Sequence, residues 1–286
     1  MGWSYLVLGW HLKNKLILVL TAIAFVAGLF TTNYATAQKF DGSIGVISIG
    51  FDHGFKEQFQ ASQYMTNDGF KGTFYIVTNR AIDTNFLSWD ELTTLYNGGW
   101  EMASHSRNHI PEDELTQTQL NSEIISSKID LQSHGMKVCG FVSPDALKPN
   151  ATIINIIQTN YNYTLIKDTT QNNVSSLSAK NFFNIPVKIP IVKAMTVGDV
   201  GTSPKNGYGQ VSNFKQAKTQ IDSAILNHSW VVLHFHDFTN STIQVQTLQV
   251  PTTWNLYHQI INYIKQKHTQ GVLDVERQTD ALGLTC

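Results

Sequence analysis

The sequence predicts an α/β fold built from parallel β/α units, because segments with strand and helix patterns alternate about seven times between residues 38 and 286. The strand segments are short, apolar and rich in β-branched residues, as expected where both faces of a sheet are covered. Polar, titratable residues follow several different strands, an arrangement that favours a closed barrel. An open, doubly wound sheet is the alternative architecture.

The elements follow from hydrophobic period and from capping residues. Ser88 with Glu91 three residues later forms a capping-box pattern, and Asn213 is a candidate helix cap. Predicted strands are Ile44–Phe51, Gly72–Val77, Trp100–Ser104, Val138–Ser143, Tyr163–Ile166, Trp230–Phe235 and Gly271–Val275. Predicted helices are Phe55–Asp68, Ser88–Tyr96, Thr116–His134, Ala151–Asn160, Asn213–Asn227 and Thr253–His268. Ile185–Val192 is expected to be extended but interrupted by prolines, and the glycine-rich segment Thr196–Val211 is expected to be loop.

Length and charge narrow the class of protein. A chain of 286 residues fits one large α/β domain or two small ones, and no linker pattern divides residues 38–286. The net charge of −1 gives no electrostatic reason to expect nucleic acid as a partner. Only 14% of the residues are charged, which suits an uncharged polar ligand but also an ordinary secreted protein.

The N-terminus carries a compartment signal. Lys13 and Lys15 precede the apolar run Leu16–Phe30, and small residues at alternate positions end at Ala37. This pattern predicts a signal peptide over residues 1–37, with an uncleaved N-terminal membrane anchor as the alternative. In either case residues 38–286 are expected to be secreted or extracytoplasmic, where Cys139 and Cys286 could pair; a buried free thiol at Cys139 is the other option.

Two stretches carry the chemistry. His105 and His109 are four residues apart, and on a helical turn both imidazoles would point the same way and capture a divalent metal; two surface histidines are the competing interpretation. Asp52 and His53 end the first strand and could supply a further metal ligand and a carboxylate that takes a proton from water. Alone, Asp52 would be read as a helix cap.

A third stretch, Trp230–Asp237, adds two histidines on one face of a strand. His234 and His236 lie two residues apart, with Phe235 on the opposite face. His236 follows the predicted strand and could act as a general acid near neutral pH. A core histidine with satisfied hydrogen bonds is the alternative.

Together these motifs resemble the polysaccharide deacetylase family, the NodB-homology domain of carbohydrate esterase family 4. The resemblance covers most of residues 44–275. The family's Phe-Asp-Asp-Gly motif is similar to Phe51–Gly54, and its His-Ser/Thr-x-x-His motif is matched in full by His105, Ser106 and His109. The last motif, Leu-x-His or a close variant at a strand end, resembles Leu233–His236.

The resemblance implies a distorted (β/α) barrel, a single domain, that removes acetyl groups from a sugar polymer with the help of a divalent metal. Zinc is expected, with cobalt or nickel as alternatives. By the resemblance, Asp52 is the general base, His236 is the general acid, and His105 and His109 are metal ligands. Pro144 and the backbone N–H of Asp145 fall where the family binds the oxyanion.

The chain departs from the family pattern at three places. His53 replaces the second aspartate of the first motif, so the resemblance implies a three-histidine metal set of His53, His105 and His109. The family's Arg-x-Pro-aromatic motif is here Val142–Asp145, without the arginine and the aromatic residue. Lys188 stands near the place of another family arginine, but it cannot copy a planar bidentate contact.

These departures leave three functions open. The first is a metal-dependent deacetylase of N-acetylated polysaccharide, such as a chitin-like polymer, peptidoglycan or exopolysaccharide. The second is a non-catalytic glycan-binding surface protein on the same scaffold. The third is a related hydrolase of small amides, against which the predicted signal peptide argues.

Overall fold

The strands of the computed structural model are short apolar segments, and all nine residues of the first one are buried. The structure describes residues 39–144, 150–167, 170–173, 187–200, 210–240 and 250–286. The strands in chain order are β1 (Gly45–His53), β2 (Thr73–Ile76), β3 (Glu101–Ser104), β4 (Gly140–Val142), β5 (Tyr163–Lys167), β6 (Ile191–Val197), β7 (Gln210–Val211), β8 (Trp230–Phe235), β9 (Phe238–Thr239), β10 (Thr252–Thr253) and β11 (Leu273–Val275).

Seven of these strands close into a parallel barrel. Pairing runs from β1 through β2, β3, β4, β5 and β6 to β8, and β8 returns to β1. Strands β7 and β11 add to the wall beside β6 and β1. The predicted α/β barrel is therefore confirmed, and the alternative of an open doubly wound sheet is wrong.

Helices pack around the barrel wall. They are α1 (Gln58–Asn67), α2 (Trp89–Asn97), α3 (Gln117–Asn121), α4 (Ser127–Ser133), α5 (Ala151–Asn160), α6 (Phe214–Asn227), α7 (Trp254–Thr269) and α8 (Gln278–Leu282). Ser88 and Glu91 form the predicted capping box at the start of α2, and Asn213 caps α6. The caps at the starts of α2 and α6 thus satisfy backbone N–H groups that have no partner inside the helix.

Alternation along each strand divides the apolar residues into two cores. Ile47, Ile49 and Phe51 of β1 face outward against the helices, whereas Val46 belongs to the inner core that fills the barrel. The inner core also contains Tyr75, Ala103, Tyr163, Leu165, Val192, Ala194, Trp230 and Val232. The interior is therefore packed below the mouth, and the predicted site residues Asp52 and His53 lie at the carboxyl end of β1.

Among the differences between the predicted and the observed elements, three have a clear physical cause. Strand β6 begins after Pro190 and continues to Val197, beyond the predicted end at Val192. Its pairing with β5 and β8 overrides the loop-like composition of the residues after Val192. The predicted helix Thr116–His134 is interrupted by a π-helix, Ser122–Ser126. Helix α8 was not predicted, since five residues are too few for a periodic pattern.

Both ends of the described chain meet the amino-terminal end of the barrel. The N–H of Phe40 donates to Ala281 O, and the ring of Phe40 packs beside Trp230 at the start of β8. Cys139 and Cys286 form a disulfide with Cα atoms 5.4 Å apart, which fixes the C-terminus beside β4. No described helix is both apolar and long enough to cross a membrane, and the predicted signal or anchor at residues 1–37 lies outside the described residues.

The carboxyl group of Glu276 makes the free energy of unfolding depend on pH. Burial, together with the nearby carboxylates of Asp274, Asp280 and Asp41, raises its pKa to about 7. The folded protein therefore binds the carboxyl proton of Glu276 more tightly than the unfolded chain does. The stabilisation that this proton provides is lost as pH rises from about 4.5 to about 7.

Glu276→Gln is expected to raise the free energy of unfolding at pH 8, because a half-buried charge beside other carboxylates is removed. The difference from the wild-type protein should shrink toward zero near pH 4, where Glu276 is protonated in both states. Urea unfolding across this pH range measures it, with the exposed Glu114→Gln as the control. A gain that does not change with pH would contradict the assignment.

Candidate active site

Asp52 lies at the carboxyl end of β1, inside the barrel mouth, and is fully buried. Its Oδ1 is 3.5 Å from Nε2 of both His105 and His234, and its Oδ2 is 3.1 Å from Nε2 of His236. Burial opposes ionisation, but the surrounding imidazoles outweigh it and hold the pKa of Asp52 well below its usual range. The side chain is thus an ionised carboxylate inside the protein, with free lone pairs that a proton donor at the barrel mouth could reach.

His53 turns the chain out of β1 in a left-handed conformation. Its φ is 71° and that of Gly54 is 82°, so the strand ends in two consecutive residues with positive φ. A histidine in this region is strained, and such strain is concentrated at functional sites. The turn places the His53 ring 5.0 Å from the ring of His105 and 4.6 Å from that of His109.

The segment that carries His105 and His109 is a loop rather than the helical turn predicted from the sequence. Ser106 has φ 65° and His109 has φ 62°, so two left-handed residues, instead of helical spacing, turn both imidazoles toward His53. The hydroxyl of Ser106 accepts a hydrogen bond from the His109 N–H at 2.9 Å. This bond explains why a serine between the two histidines fits the loop.

The carboxylate of Glu123 binds the backbone of the loop that carries His105 and His109. Its Oε2 accepts hydrogen bonds from the backbone N–H groups of Arg107 at 3.1 Å and Asn108 at 2.7 Å, and its Oε1 accepts one from Asn108 Nδ2 at 2.5 Å. Glu123 is buried and lies in the π-helix. The extra residue of a π-turn re-aims a side chain, and π-turns recur at functional sites. The role of Glu123 is not visible in the sequence, because a π-turn has no recognisable residue pattern.

One nitrogen from each of His53, His105 and His109 belongs to a group whose atoms all lie within 4.8 Å of one another. Nε2 of His53 is 2.9 Å from Nε2 of His109, a separation at which two lone pairs repel unless a proton or a cation lies between them. Burial lowers the pKa of His53 well below its usual value, so this imidazole is neutral and available as a ligand. The three histidines therefore fit a divalent metal of the kind that imidazole prefers.

The orientation of His105 supports the same conclusion. Its Nδ1 lies 2.8 Å from Val142 O, a contact in which Nδ1–H donates to the carbonyl. The remaining nitrogen, Nε2, then presents its lone pair to the cluster. Metal-ligating histidines are commonly held by such a bond from their other nitrogen.

His236 lies just beyond β8, and His234 lies inside that strand. Both rings reach Asp52, whereas Phe235 between them packs outward against Phe51 and Tyr257. Asp52, His53 and His236 form a second group with convergent ligand atoms. The structure therefore brings together all five predicted side chains of the site: Asp52, His53, His105, His109 and His236.

Three other predicted positions are Pro144, Asp145 and Lys188. Pro144 is buried directly after β4, and Asp145 lies outside the described residues. Lys188 is exposed, and its backbone N–H donates to Gln158 of α5. Among the described residues, those that contact Asp52 do not include Lys188.

Gln58, the first residue of α1, joins the ends of β1 and β8. Its side-chain amide donates to the backbone carbonyls of Asp52 at 2.6 Å and of His236 at 2.7 Å, and the side chain is fully buried. One amide thus fixes the separation of the two proposed proton-transfer residues. The sequence offered no signal for it, since the contact depends on where α1 meets the barrel.

Gln58→Leu is expected to lower the free energy of unfolding by about 2 kcal/mol, because two buried carbonyls lose their donor. It should also lower kcat about tenfold, because the mouth ends of β1 and β8 are no longer joined. Urea unfolding and steady-state kinetics measure the two effects. Gln60→Leu, an exposed site on the same helix, is the matched control. Equal behaviour of the two variants would show that the bridge has no such role.

Comparison with known structures places the fold. A peptidoglycan N-acetylglucosamine deacetylase, Bc1960, is 13% identical over 90% of this chain and 97% of its own, with a TM-score of 0.54. A family 4 carbohydrate esterase from Streptomyces lividans is 16% identical over 84% of this chain and 95% of its own, with a TM-score of 0.50. A mutant of a family 4 pseudoenzyme with restored enzymatic activity is 10% identical over 84% of this chain and 68% of its own, with a TM-score of 0.52.

The fold and the site define an α/β-barrel protein with a buried carboxylate surrounded by histidines. Residues 40–165 match the family model for polysaccharide deacetylases, a span that includes Asp52, His53, His105 and His109. This match agrees with the NodB-homology domain of polysaccharide deacetylases that the motifs indicated. A search of curated proteins found no match.

Proposed function

We propose that this protein is a metal-dependent hydrolase that removes acetyl groups from an N-acetylated polysaccharide. The observation that carries the proposal is the ionised, fully buried Asp52 beside three convergent imidazoles at the barrel mouth. A carboxylate next to a metal-binding set is the arrangement that hydrolysis by water requires. Chitin-like polymers, peptidoglycan and exopolysaccharides are the candidate substrates.

The metal would be held by His53, His105 and His109. Three neutral histidines with an open fourth position form an established catalytic zinc set, so zinc is the proposed ion, with cobalt or nickel as alternatives. When bound, a divalent ion supplies Lewis acidity for water and for the acetyl carbonyl. His53 makes this set more neutral than one with a carboxylate ligand, which favours ionisation of the water.

The proton transfers belong to two side chains. Asp52 takes a proton from the attacking water, because its carboxylate is ionised and lies beside the three imidazoles. His236 gives a proton to the departing amine as the carbon–nitrogen bond breaks, and acetate is the other product. Its Nε2 lies 3.1 Å from Asp52 Oδ2, so the proton that Asp52 receives can restore the acid. The backbone N–H of Asp145 is the proposed oxyanion donor.

The domain is proposed to work outside the cytoplasm, secreted or held at the surface by its N-terminal segment. The disulfide between Cys139 and Cys286 supports this location, because such bonds persist in oxidising compartments. The predicted signal over residues 1–37 supports it independently. Protease accessibility on intact cells measures the location, and complete protection would overturn it.

The first experiment is acetate release from N-acetylglucosamine oligomers by the full chain, stripped of metal and then resupplied with zinc, cobalt or nickel. Metal-restored release supports the deacetylase. Stoichiometric metal with no release from this substrate, an O-acetylated xylan or a small amide would contradict it. Sugar binding that survives replacement of both His105 and His109 would favour the non-catalytic glycan-binding alternative.

A further inference from the structure

His234 lies deeper in the barrel than the proposed metal ligands and has no role in the reaction described above. It is a residue of β8, fully buried, and faces Gly50 of β1 across the parallel pair. Its Nε2 is 3.5 Å from Asp52 Oδ1, and its ring meets that of Tyr75 edge to face at 5.0 Å. The ring is therefore held on one side by packing and directed toward the carboxylate.

The Oδ1 atom of Asp52 needs a hydrogen-bond donor, since a fully buried carboxylate without one is costly. Two imidazole nitrogens in the described structure lie at 3.5 Å from it, those of His105 and His234. His105 uses its Nδ1–H for Val142 O, so in the neutral ring its Nε2 carries a lone pair and cannot donate. His234 is the one of the pair that can supply the proton.

The backbone of β1 is adapted to this ring. A Cβ on Gly50 would lie 2.8 Å from His234 Cδ2, which is closer than Cβ atoms approach other atoms in folded proteins, and 3.0 Å from Tyr75 Cε2, which is tighter than most such contacts. Only a residue without a side chain leaves room for an imidazole at this position. The imidazole of His234 therefore fits only because Gly50 has no side chain.

We propose that His234 is a positioning residue whose Nε2–H donates to Asp52 Oδ1 and so fixes the carboxylate with Oδ2 toward His236. The catalytic consequence rests on the proposed deacetylase function, but the hydrogen bond does not. Both Asp52 oxygens are then held by imidazoles of the same strand end, one from His234 and the other from His236. With an imidazole nitrogen facing each oxygen, rotation of the carboxylate away from His236 is disfavoured.

Two variants at position 234 separate positioning from packing. His234→Leu removes the donor and is expected to lower kcat about a hundredfold while KM and zinc affinity change less than threefold. His234→Gln keeps an N–H donor at similar reach and is expected to recover at least tenfold of that loss. Equal loss of kcat in both variants, or normal kcat in His234→Leu, would overturn the proposal.

A spectroscopic measurement tests the hydrogen bond without turnover. In the full chain labelled with ¹⁵N-histidine, His234 is expected to be protonated on Nε2, with a downfield proton signal that moves upfield in Asp52→Ala. The Nδ1–H form, or a signal unchanged by Asp52→Ala, would overturn the proposal. If the signal behaves as expected but wild-type protein releases no acetate, the hydrogen bond stands and the proposed deacetylase function fails.

Discussion

Asp52→Asn is expected to lower the rate of acetate release by about 10²–10⁴-fold, the usual contribution of a general base. Asparagine keeps the size of the side chain but cannot accept a proton from water. The imidazoles of His105, His234 and His236 also lose the negative charge that they surround. Metal stoichiometry should remain unchanged, because the proposed ligands are elsewhere.

The measurement is kcat on N-acetylglucosamine oligomers together with zinc content by elemental analysis. Asp68→Asn, at the end of α1 and outside the site, is the matched control. An Asp52→Asn variant with normal turnover would remove Asp52 from its proposed role. A variant that lost both metal and turnover would instead make Asp52 a ligand in the second convergent group, with His53 and His236.

His105→Ala is expected to abolish stoichiometric zinc binding and, with it, metal-restored activity. Changes in groups that only orient a ligand cost about 10–100-fold in metal affinity, so removal of a ligand should cost more. His53→Ala should behave in the same way if three histidines hold the ion. Calorimetric titration of the metal-free protein with zinc measures both.

His228→Asn is the control for these variants, because His228 is an exposed histidine outside the site whose φ of 46° suits asparagine. His53→Asp tests the departure from the family motif. Retained binding with altered preference among zinc, cobalt and nickel would support His53 as a ligand. Full zinc affinity in His53→Ala would show that His53 is a tolerated neighbour instead.

Much of the barrel followed from the sequence because its signals are local. Strand Trp230–Phe235 and helix Ala151–Asn160 have the predicted bounds, since an apolar β-branched run and an apolar periodic segment define them without tertiary contacts. Strand β6 was extended beyond its prediction by pairing with β5 and β8, which no local pattern shows. The predicted domain boundary at residue 38 stays a prediction.

The residues of the candidate site also fall into two groups, those that the sequence reveals and those that it does not. Residues at strand ends and in a short motif, such as Asp52 and His105, could be found because spacing and residue type carry the chemistry. Gln58, Glu123 and the contact of His234 with Asp52 depend on side chains meeting across different elements. His105 and His109 converge for a different reason than the predicted helical turn. Left-handed backbone angles at Ser106 and His109 bring the two imidazoles together, and the spacing of the residues does not reveal such angles.

The two ends of the described chain, at residue 39 and at Cys286, lie at the opposite end of the barrel from the site. Phe40 packs beside the first residue of β8, and Cys286 is bonded at the start of β4, whereas Asp52 lies at the far end of β1. A tether joined ahead of residue 39 or after Cys286 therefore leaves from the closed base of the barrel. Attachment at either of these two ends would therefore leave the end of the barrel that carries Asp52 directed away from the point of attachment, toward a ligand too large to diffuse.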